Sequence, residues 1–176
     1  NLKLVWQHKL EPSYSGPITD GQRIFTTETV AKREETTRAY DLETGKPLWE
    51  VKWPGSMTVP FFANSNGSWI RSTPACDESR LYIVGMLDVL VCFESATGKE
   101  LWRIDFAKQY ETGNPPFGAV CSPLMDKDHL YLQAANSFFK IQKADGKVVW
   151  RTMNEDGGMM SGGSFSSPSF ATLGDK

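Results

Sequence analysis

The sequence contains the same short pattern three times, at residues 39–49, 92–102 and 140–150. Each copy ends in Gly-Lys-x-x-Trp, and the closing tryptophans are 53 and 48 positions apart. A period of about 40–50 residues is typical of proteins that repeat one supersecondary unit. The pattern therefore constrains the architecture of the chain more tightly than its activity.

A second landmark precedes each copy and also follows the last one. It is a small residue before a proline, and it occurs at Gly16, Thr73, Ser122 and Ser167. From each of the first three prolines to the next repeated tryptophan there are 32, 28 and 27 residues, which leaves room for four short strands with turns between them. Apolar residues nowhere keep a helical period for more than a turn or two, so we expect almost no helix.

We therefore predict an all-β fold, a partial β-propeller of four-stranded antiparallel blades. Residues 11–53, 54–106 and 107–153 would form about three full blades. Residues 1–10 would be the closing strand of a preceding blade, and residues 154–176 the start of a further one. Known propellers have at least about four blades. Two interpretations stay open: the chain is a piece of a longer protein, or identical chains complete one another.

Composition and charge exclude several classes of function. The net charge of −2 provides no basic field for nucleic acid, and no stretch of 18 apolar residues could span a membrane. Cys76, Cys92 and Cys121 are too scattered for a disulfide framework or a zinc site, so we predict small buried apolar side chains. Asp126 and Asp128, the nearest candidates for a metal site, are predicted to form a turn.

The repeat resembles that of the pyrroloquinoline-quinone (PQQ) repeat family, the quinoprotein alcohol dehydrogenase-like β-propellers. Residues 39–49 match Ala-x-Asp-x-x-x-Gly-Lys-x-x-Trp at every defined position, whereas residues 140–150 keep only the glycine, lysine and tryptophan. The resemblance implies that each tryptophan packs between the small first residue of the motif and the glycine turn of a neighbouring blade. The residues implied in this docking are Ala39, Gly45, Trp49, Cys92, Gly98, Trp102, Gly146 and Trp150. Lys140 replaces the small residue in the third copy, which departs from the pattern.

Members of that family include PQQ- and calcium-dependent dehydrogenases and also proteins without a cofactor, such as the lipoprotein that assists assembly of outer-membrane β-barrels. The adjacent cysteines of many dehydrogenases are absent from this sequence, which makes the resemblance closer to the non-enzymatic members. It implies a periplasmic or secreted location and no cofactor in this chain. PQQ and calcium are expected only if the chain belongs to a dehydrogenase.

Long segments between blades provide the candidate binding residues. Residues 54–71, 107–118 and 154–165 all enter an innermost strand, so we expect them on one rim of the propeller. Aromatic, methionine and arginine side chains are common at interfaces. The candidates for binding at this rim are Trp69, Arg71, Phe117, Met159 and Met160. The alternative is an axial plug formed by Phe61, Phe62, Trp69 and Phe117, and the two roles are compatible.

These observations predict a binding or scaffolding module for a protein, peptide or polysaccharide, with no catalytic residue in this chain. The alternative function is part of a PQQ- and calcium-dependent dehydrogenase of alcohols or sugars. The remaining blades of the same protein, or another copy of the chain, are expected as partners. The charged segment at residues 32–35 is predicted to be a solvated hairpin tip.

Overall fold

The computed structural model describes residues 2–153, 165–172 and 174. Their strands form three four-stranded antiparallel sheets, each with its strands in sequence order. The first sheet contains β1 (Ile18–Thr19), β2 (Arg23–Val30), β3 (Glu34–Asp41) and β4 (Pro47–Pro54). The second contains β5 (Ala75–Cys76), β6 (Arg80–Gly85), β7 (Val89–Glu94) and β8 (Glu100–Asp105). The third contains β9 (Leu124–Met125), β10 (His129–Ala134), β11 (Ser137–Gln142) and β12 (Val148–Thr152). The prediction of an all-β partial propeller is confirmed.

The repeated glycine has the same backbone conformation in every sheet. Gly45, Gly98 and Gly146 have φ angles of 70°, 73° and 76°, a left-handed region in which a Cβ atom is strained. In each sheet the register between the third and fourth strands also shifts by a bulge shortly before this glycine. The Gly-Lys-x-x-Trp pattern therefore specifies a bulged hairpin turn that leads into the outermost strand.

Apolar side chains fill the two spaces between successive sheets. Phe25, Ala39 and Trp53 of the first sheet pack against side chains of the second that include Leu81 and Ile83. The other face of the second sheet packs against the third sheet through a second apolar cluster. This cluster includes Tyr82 and Leu90 of the second sheet and Leu130 and Phe139 of the third. The second sheet, covered on both faces, is therefore the most completely buried of the three.

The small residues before proline form a hydrogen-bonded ladder across the innermost strands. The backbone N–H of Gly16 donates to Thr73 Oγ1 at 3.1 Å, and that of Thr73 donates to Ser122 Oγ at 2.9 Å. The N–H of Ser122 donates in turn to Ser167 Oγ at 3.0 Å. This ladder explains the second landmark of the sequence, because each step needs a hydroxyl on the following blade.

Two expectations from the sequence differ from the structure, and a third is not tested by it. Residues 4–10 and 166–170 form no strand, because neither segment finds a hydrogen-bonded neighbour strand among the described residues. The segments between sheets contain a 3₁₀ helix (Phe61–Asn66) and a short helix α1 (Phe106–Gln109), where no regular structure was expected. Met159 and Met160 lie outside the described residues.

Candidate functional site

One end of the sheets carries the long connections that the structure describes and will be called the loop face. It consists of residues 54–74 and 106–123, which link successive sheets, and the turns at 31–33, 86–88 and 135–136. Antiparallel pairing requires this arrangement, because the turn after a second strand and the segment after a fourth strand leave the sheet at the same end. The rim that the sequence predicts for these segments therefore corresponds to one continuous surface.

Hydrogen bonds from backbone N–H groups attach these connections to the turns and to strand β2 beneath them. The N–H of Phe106 donates to the carbonyl of Asp88, and the N–H of Ala119 donates to the carbonyl of Met86, both at 3.1 Å. In the first connection, the N–H of Ile70 donates to Thr29 Oγ1 at 2.8 Å. The loop face thus holds its side chains on anchored backbone, which lowers the ordering cost of binding.

Four phenylalanines form a stripe across the loop face. Ring centroids are separated by 5.6 Å from Phe61 to Phe62, 6.0 Å from Phe62 to Phe117 and 5.7 Å from Phe117 to Phe165. Phe61 is 90% exposed, and Phe62 and Phe165 are 62% and 60% exposed. The stripe joins three connections of the chain, and exposed apolar patches of this kind mark interaction sites. Because Phe61 and Phe62 are exposed, these two side chains do not form a buried axial plug in the part of the chain that the structure describes.

Trp69 lines a cavity of about 360 Å³ that opens on the same face. The other lining residues are short and mostly polar, apart from Met57 and the cation Lys32: they are Ser56, Thr58, Asn64, Ser65, Gly67 and Ser68. The ring of Trp69 lies against Gly67, where a Cβ would meet the indole at 2.5 Å, and 5.2 Å from the ring of Tyr14. The sequence pattern indicated Trp69 as a rim residue, but it gave no sign of the cavity or of a binding role for Lys32.

Arg71 has a supporting position beside this cavity. Its guanidinium carbon lies 5.1 Å from the ring centroid of Tyr14, and its Nη2 donates to the carbonyl of Gly67 at 3.2 Å. The side chain therefore braces the turn on which Trp69 lies. The three described rim candidates, Trp69, Arg71 and Phe117, are all partly buried.

The repeated tryptophans contact the glycine turns of the following sheets. A Cβ at Gly98 would meet the indole of Trp49 at 2.8 Å, and one at Gly146 would meet Trp102 at 2.8 Å. The indole N–H groups of Trp49 and Trp102 donate to the carbonyls of Ser95 and Lys143 at 3.0 and 3.1 Å. Within its own sheet, Trp49 pairs with Ala39 and Trp102 with Cys92.

Trp6 and Trp150 extend the same series at its two ends. Trp6 lies against Gly45, where a Cβ would be 2.6 Å from the indole, and donates to the carbonyl of Leu42 at 3.0 Å. Trp150 pairs with Lys140 and packs on Phe138 and Tyr131, but 39% of its surface is exposed. Lys140 stands over the ring of Tyr131 at 5.6 Å, so it occupies the open face of the third sheet rather than a seam.

Two buried carboxylates, missed by the sequence analysis, cross the seams on the loop face. Glu35 is fully buried, so the prediction of a solvated tip fails at this residue, whereas Lys32 and its two successors are exposed. Burial raises the pKa of Glu35 to about 7, although hydrogen bonds from Met86 and Trp53 oppose the shift. Burial likewise raises the pKa of Asp88 to about 6. The signal in the sequence was an acidic residue in or just after the second turn of two successive repeats.

The described acidic residues do not fit a metal site. No group of three or more His, Cys, Asp or Glu side chains is placed to hold a metal ion in the part of the chain that the structure describes. Asp126 caps its own turn instead, accepting hydrogen bonds from the N–H groups of Asp128 and His129 and from the Tyr131 hydroxyl. These hydrogen bonds outweigh the opposing effect of desolvation and hold the pKa of Asp126 at about 2. Calcium, which takes six to eight oxygen ligands, finds no such set here.

The cysteines and helices add no further candidate. Cys76, Cys92 and Cys121 are free, and burial raises the thiol pKa of each to about 11 or 12, which keeps them protonated and poorly nucleophilic. Among the described residues, neither helix has the length or apolar character needed to cross a bilayer.

Comparison with solved structures gives matches of one fold. BamB from Moraxella catarrhalis superposes with a TM-score of 0.58 at 15% identity, over 80% of this chain and 38% of that one. A europium-containing methanol dehydrogenase matches with a TM-score of 0.58 at 15% identity, over 85% of this chain and 26% of that one. The quinohemoprotein alcohol dehydrogenase from Comamonas testosteroni matches with a TM-score of 0.57 at 16% identity, over 81% and 21%.

The chain thus spans well under half the length of these structures, and their low identity supports the fold alone. No curated protein matches the chain at the sequence level. A family model described as outer membrane protein assembly factor BamB matches residues 33–176, which include all three copies of the repeat. The chain belongs to this family of PQQ-repeat β-propellers.

Proposed function

We propose that this chain is part of a binding or scaffolding propeller whose loop face contacts a protein, peptide or polysaccharide. The observation that carries the proposal is the stripe from Phe61 to Phe165, which exposes aromatic rings on an anchored surface. A monomeric soluble protein rarely leaves such a patch uncovered without a use for it. The family description supports a protein as the ligand, in the assembly of outer-membrane proteins, and a periplasmic or secreted location accompanies that role.

The remaining blades of the same protein, or a second copy of the chain, are the proposed structural partners. The open face of the third sheet supports this, because Trp150 packs there on Phe138 and is 39% exposed, whereas the glycine turns at Gly98 and Gly146 cover Trp49 and Trp102 in the seams. A further glycine turn placed over Trp150 would continue the series. We propose that the contacts of Trp49 and Trp102 on Gly98 and Gly146 are the docking elements of the ring.

A dehydrogenase is the second candidate, because two of the matched structures are alcohol or methanol dehydrogenases. The described residues of this chain do not fit a calcium site, so such a site would require residues outside the described part of the chain. We therefore propose no catalytic step for this chain.

Purified protein mixed with PQQ and calcium, then dialysed, separates the two candidates. We expect no retained quinone absorbance and no dye-linked oxidation of alcohols or sugars. Retained quinone together with turnover that needs both additions would replace the binding proposal with the dehydrogenase.

A further inference from the structure

The loop face combines two features that a single ligand could contact together. The phenylalanine stripe begins at Phe61 and Phe62, the first residues of the 3₁₀ helix, and Asn64 and Ser65 of the same helix line the cavity of Trp69. The cavity and the stripe are therefore about one helical turn apart. A ligand in the cavity would lie directly beside the stripe.

The side chains that line the cavity carry a single charge, which is positive. Lys32 is the one charged lining residue, and the remaining lining side chains provide hydroxyl, amide, thioether and indole groups. Lys32 is exposed, and no described acidic side chain forms an ion pair with its ammonium group. Glu35 is buried and accepts a hydrogen bond from the backbone N–H of Met86, whereas Glu34 is exposed on the same turn but forms no ion pair with Lys32 among the described residues. The Lys32 ammonium group is therefore available to a carboxylate of a ligand.

The spacing of the stripe resembles the side-chain spacing of an extended peptide. Successive ring centroids are 5.6–6.0 Å apart, and alternate side chains of a β-strand project from one face about 6.6 Å apart. The rings also meet at steep angles, 83° for Phe61 with Phe62 and 63° for Phe62 with Phe117. Rings that meet at these angles leave small gaps between them, each suited to one apolar side chain. A sugar ring would instead stack on the flat face of an aromatic ring.

From this geometry we infer that the loop face binds an extended segment of a partner protein with one acidic side chain and alternating apolar side chains. The acidic side chain enters the cavity and pairs with Lys32. The apolar side chains on the same face of the segment pack along Phe61, Phe62 and Phe117. This inference rests on the proposed binding function and specifies its ligand.

The test uses the whole protein and a fluorescent peptide of about nine residues with blocked ends, in which glutamate, leucine, phenylalanine and leucine alternate with serine and threonine. Fluorescence anisotropy measures the dissociation constant. We expect the peptide to bind, and its Gln-for-Glu counterpart to bind about fivefold more weakly, as for an exposed ion pair. A peptide of the same composition with its apolar residues clustered together is expected to bind more weakly than both.

Protein variants identify the surface. Lys32→Gln should remove the preference for glutamate over glutamine, while Lys99→Gln, at an exposed turn on the opposite end of the sheets, should preserve it. Phe61→Ser combined with Phe62→Ser should weaken binding at least about tenfold, as expected for central aromatic contacts. Leu101→Ser, a partly exposed residue of β8, is the matched control. Thermal melts of all variants establish that each is folded.

The outcomes separate this inference from the broader proposal. Equal binding of the glutamate and glutamine peptides, or binding that the Phe61→Ser, Phe62→Ser double variant leaves unchanged, overturns the inference while a binding function stands. Binding of acidic polysaccharide but no peptide also overturns it. Peptide binding in the same experiment as PQQ-dependent turnover would retain this site and overturn the proposed absence of catalysis.

Discussion

Glu35 Oε1 accepts a hydrogen bond of 2.6 Å from the backbone N–H of Met86, across the seam between the first and second sheets. Its Oε2 accepts from Trp53 Nε1 at 2.8 Å. The next seam repeats the contact, since Asp88 Oδ2 accepts from the N–H of Ala135 at 2.7 Å. Met86 and Ala135 are each the first turn residue after the second strand of their sheet. The two carboxylates therefore hydrogen-bond to equivalent backbone positions of successive blades.

The buried carboxylates should make stability depend on pH. A carboxyl whose pKa is higher in the folded protein binds its proton more tightly there, so the free energy of unfolding falls as pH rises through the window. For Asp88 that window runs from its ordinary value of 3.8 to about 6, with burial and the nearby Asp105 as the causes that raise it. For Glu35 it runs from 4.5 to about 7. Urea unfolding at pH 4, 6 and 8 measures the decline.

Asp88→Asn should remove its part of that decline. Asparagine tolerates the φ of 62° at this position, and its side-chain oxygen can still accept from Ala135. We expect the variant to be more stable than the parent at pH 8, by up to about 3 kcal/mol, and equal to it at pH 4. Asp128→Asn, an exposed turn residue, is the control. A variant with the full pH dependence of the parent would show that the Asp88 carboxyl is not the titrating group.

Gly85→Ala should destabilise the first seam. A Cβ at this position would overlap Glu35 Oε2 and lie 3.3 Å from Trp53 Nε1. Because the φ of Gly85 is not in the left-handed region, the cost comes from this overlap, about 1–3 kcal/mol for overpacking. Gly16→Ala is the control, since its nearest contact would be at an ordinary 3.7 Å. Equal melting temperatures for the two variants would contradict the packing described for Glu35.

Thr73→Val tests the ladder of the innermost strands. The substitution keeps the shape of the side chain but leaves the N–H of Gly16 without its acceptor, which should cost about 1–3 kcal/mol. Thr37→Val is the comparison, because Thr37 is buried and its hydroxyl has no hydrogen-bond partner among the described residues. We expect that second variant to be as stable as the parent or more stable. Denaturant midpoints compare the two directly.

Trp49→Ala should be one of the most costly single substitutions, because the indole fills the space over Gly98 and donates to Ser95. Loss of a fully buried tryptophan costs about 3–5 kcal/mol, and because Trp49 is partly buried we expect a cost near the lower end of that range. In a protein of these 176 residues, Trp150→Ala should cost clearly less, since that side chain is 39% exposed. An equal loss for both would mean that Trp150 is covered in solution, as expected if copies of the chain associate.

The repeat allowed the fold to be predicted because its glycines and tryptophans have a local geometric cause. Gly45 and Gly98 must adopt a positive φ, and their spacing from the tryptophans sets the register of the outer hairpins. The same pattern could not reveal Glu35. Its burial depends on Gly55 and Gly85, which leave room for the carboxylate and lie 20 and 50 positions away in the sequence.

The candidate site was predicted only in outline. The segments that enter the innermost strands could be assigned to one rim, since antiparallel topology requires it, and Trp69 and Phe117 were identified there. The pairing of Phe62 with Phe117, and the cavity between Lys32 and Trp69, arise from contacts between different blades. Such contacts depend on how the blades stack, which local sequence patterns do not determine.

The most direct test of the binding account is site-specific photo-crosslinking in the native host, with a photoreactive residue at Phe62 on the loop face or at Leu48 in β4. Both side chains are exposed, at 62% and 45%, so reactivity toward solvent is comparable. The account predicts a discrete crosslinked protein species at Phe62 that is absent at Leu48 and is lost when the acidic-apolar peptide is added. Crosslinking that is equal at the two positions would contradict a ligand-binding loop face, and a Phe62 crosslink that the peptide leaves unchanged would contradict the acidic, extended ligand alone.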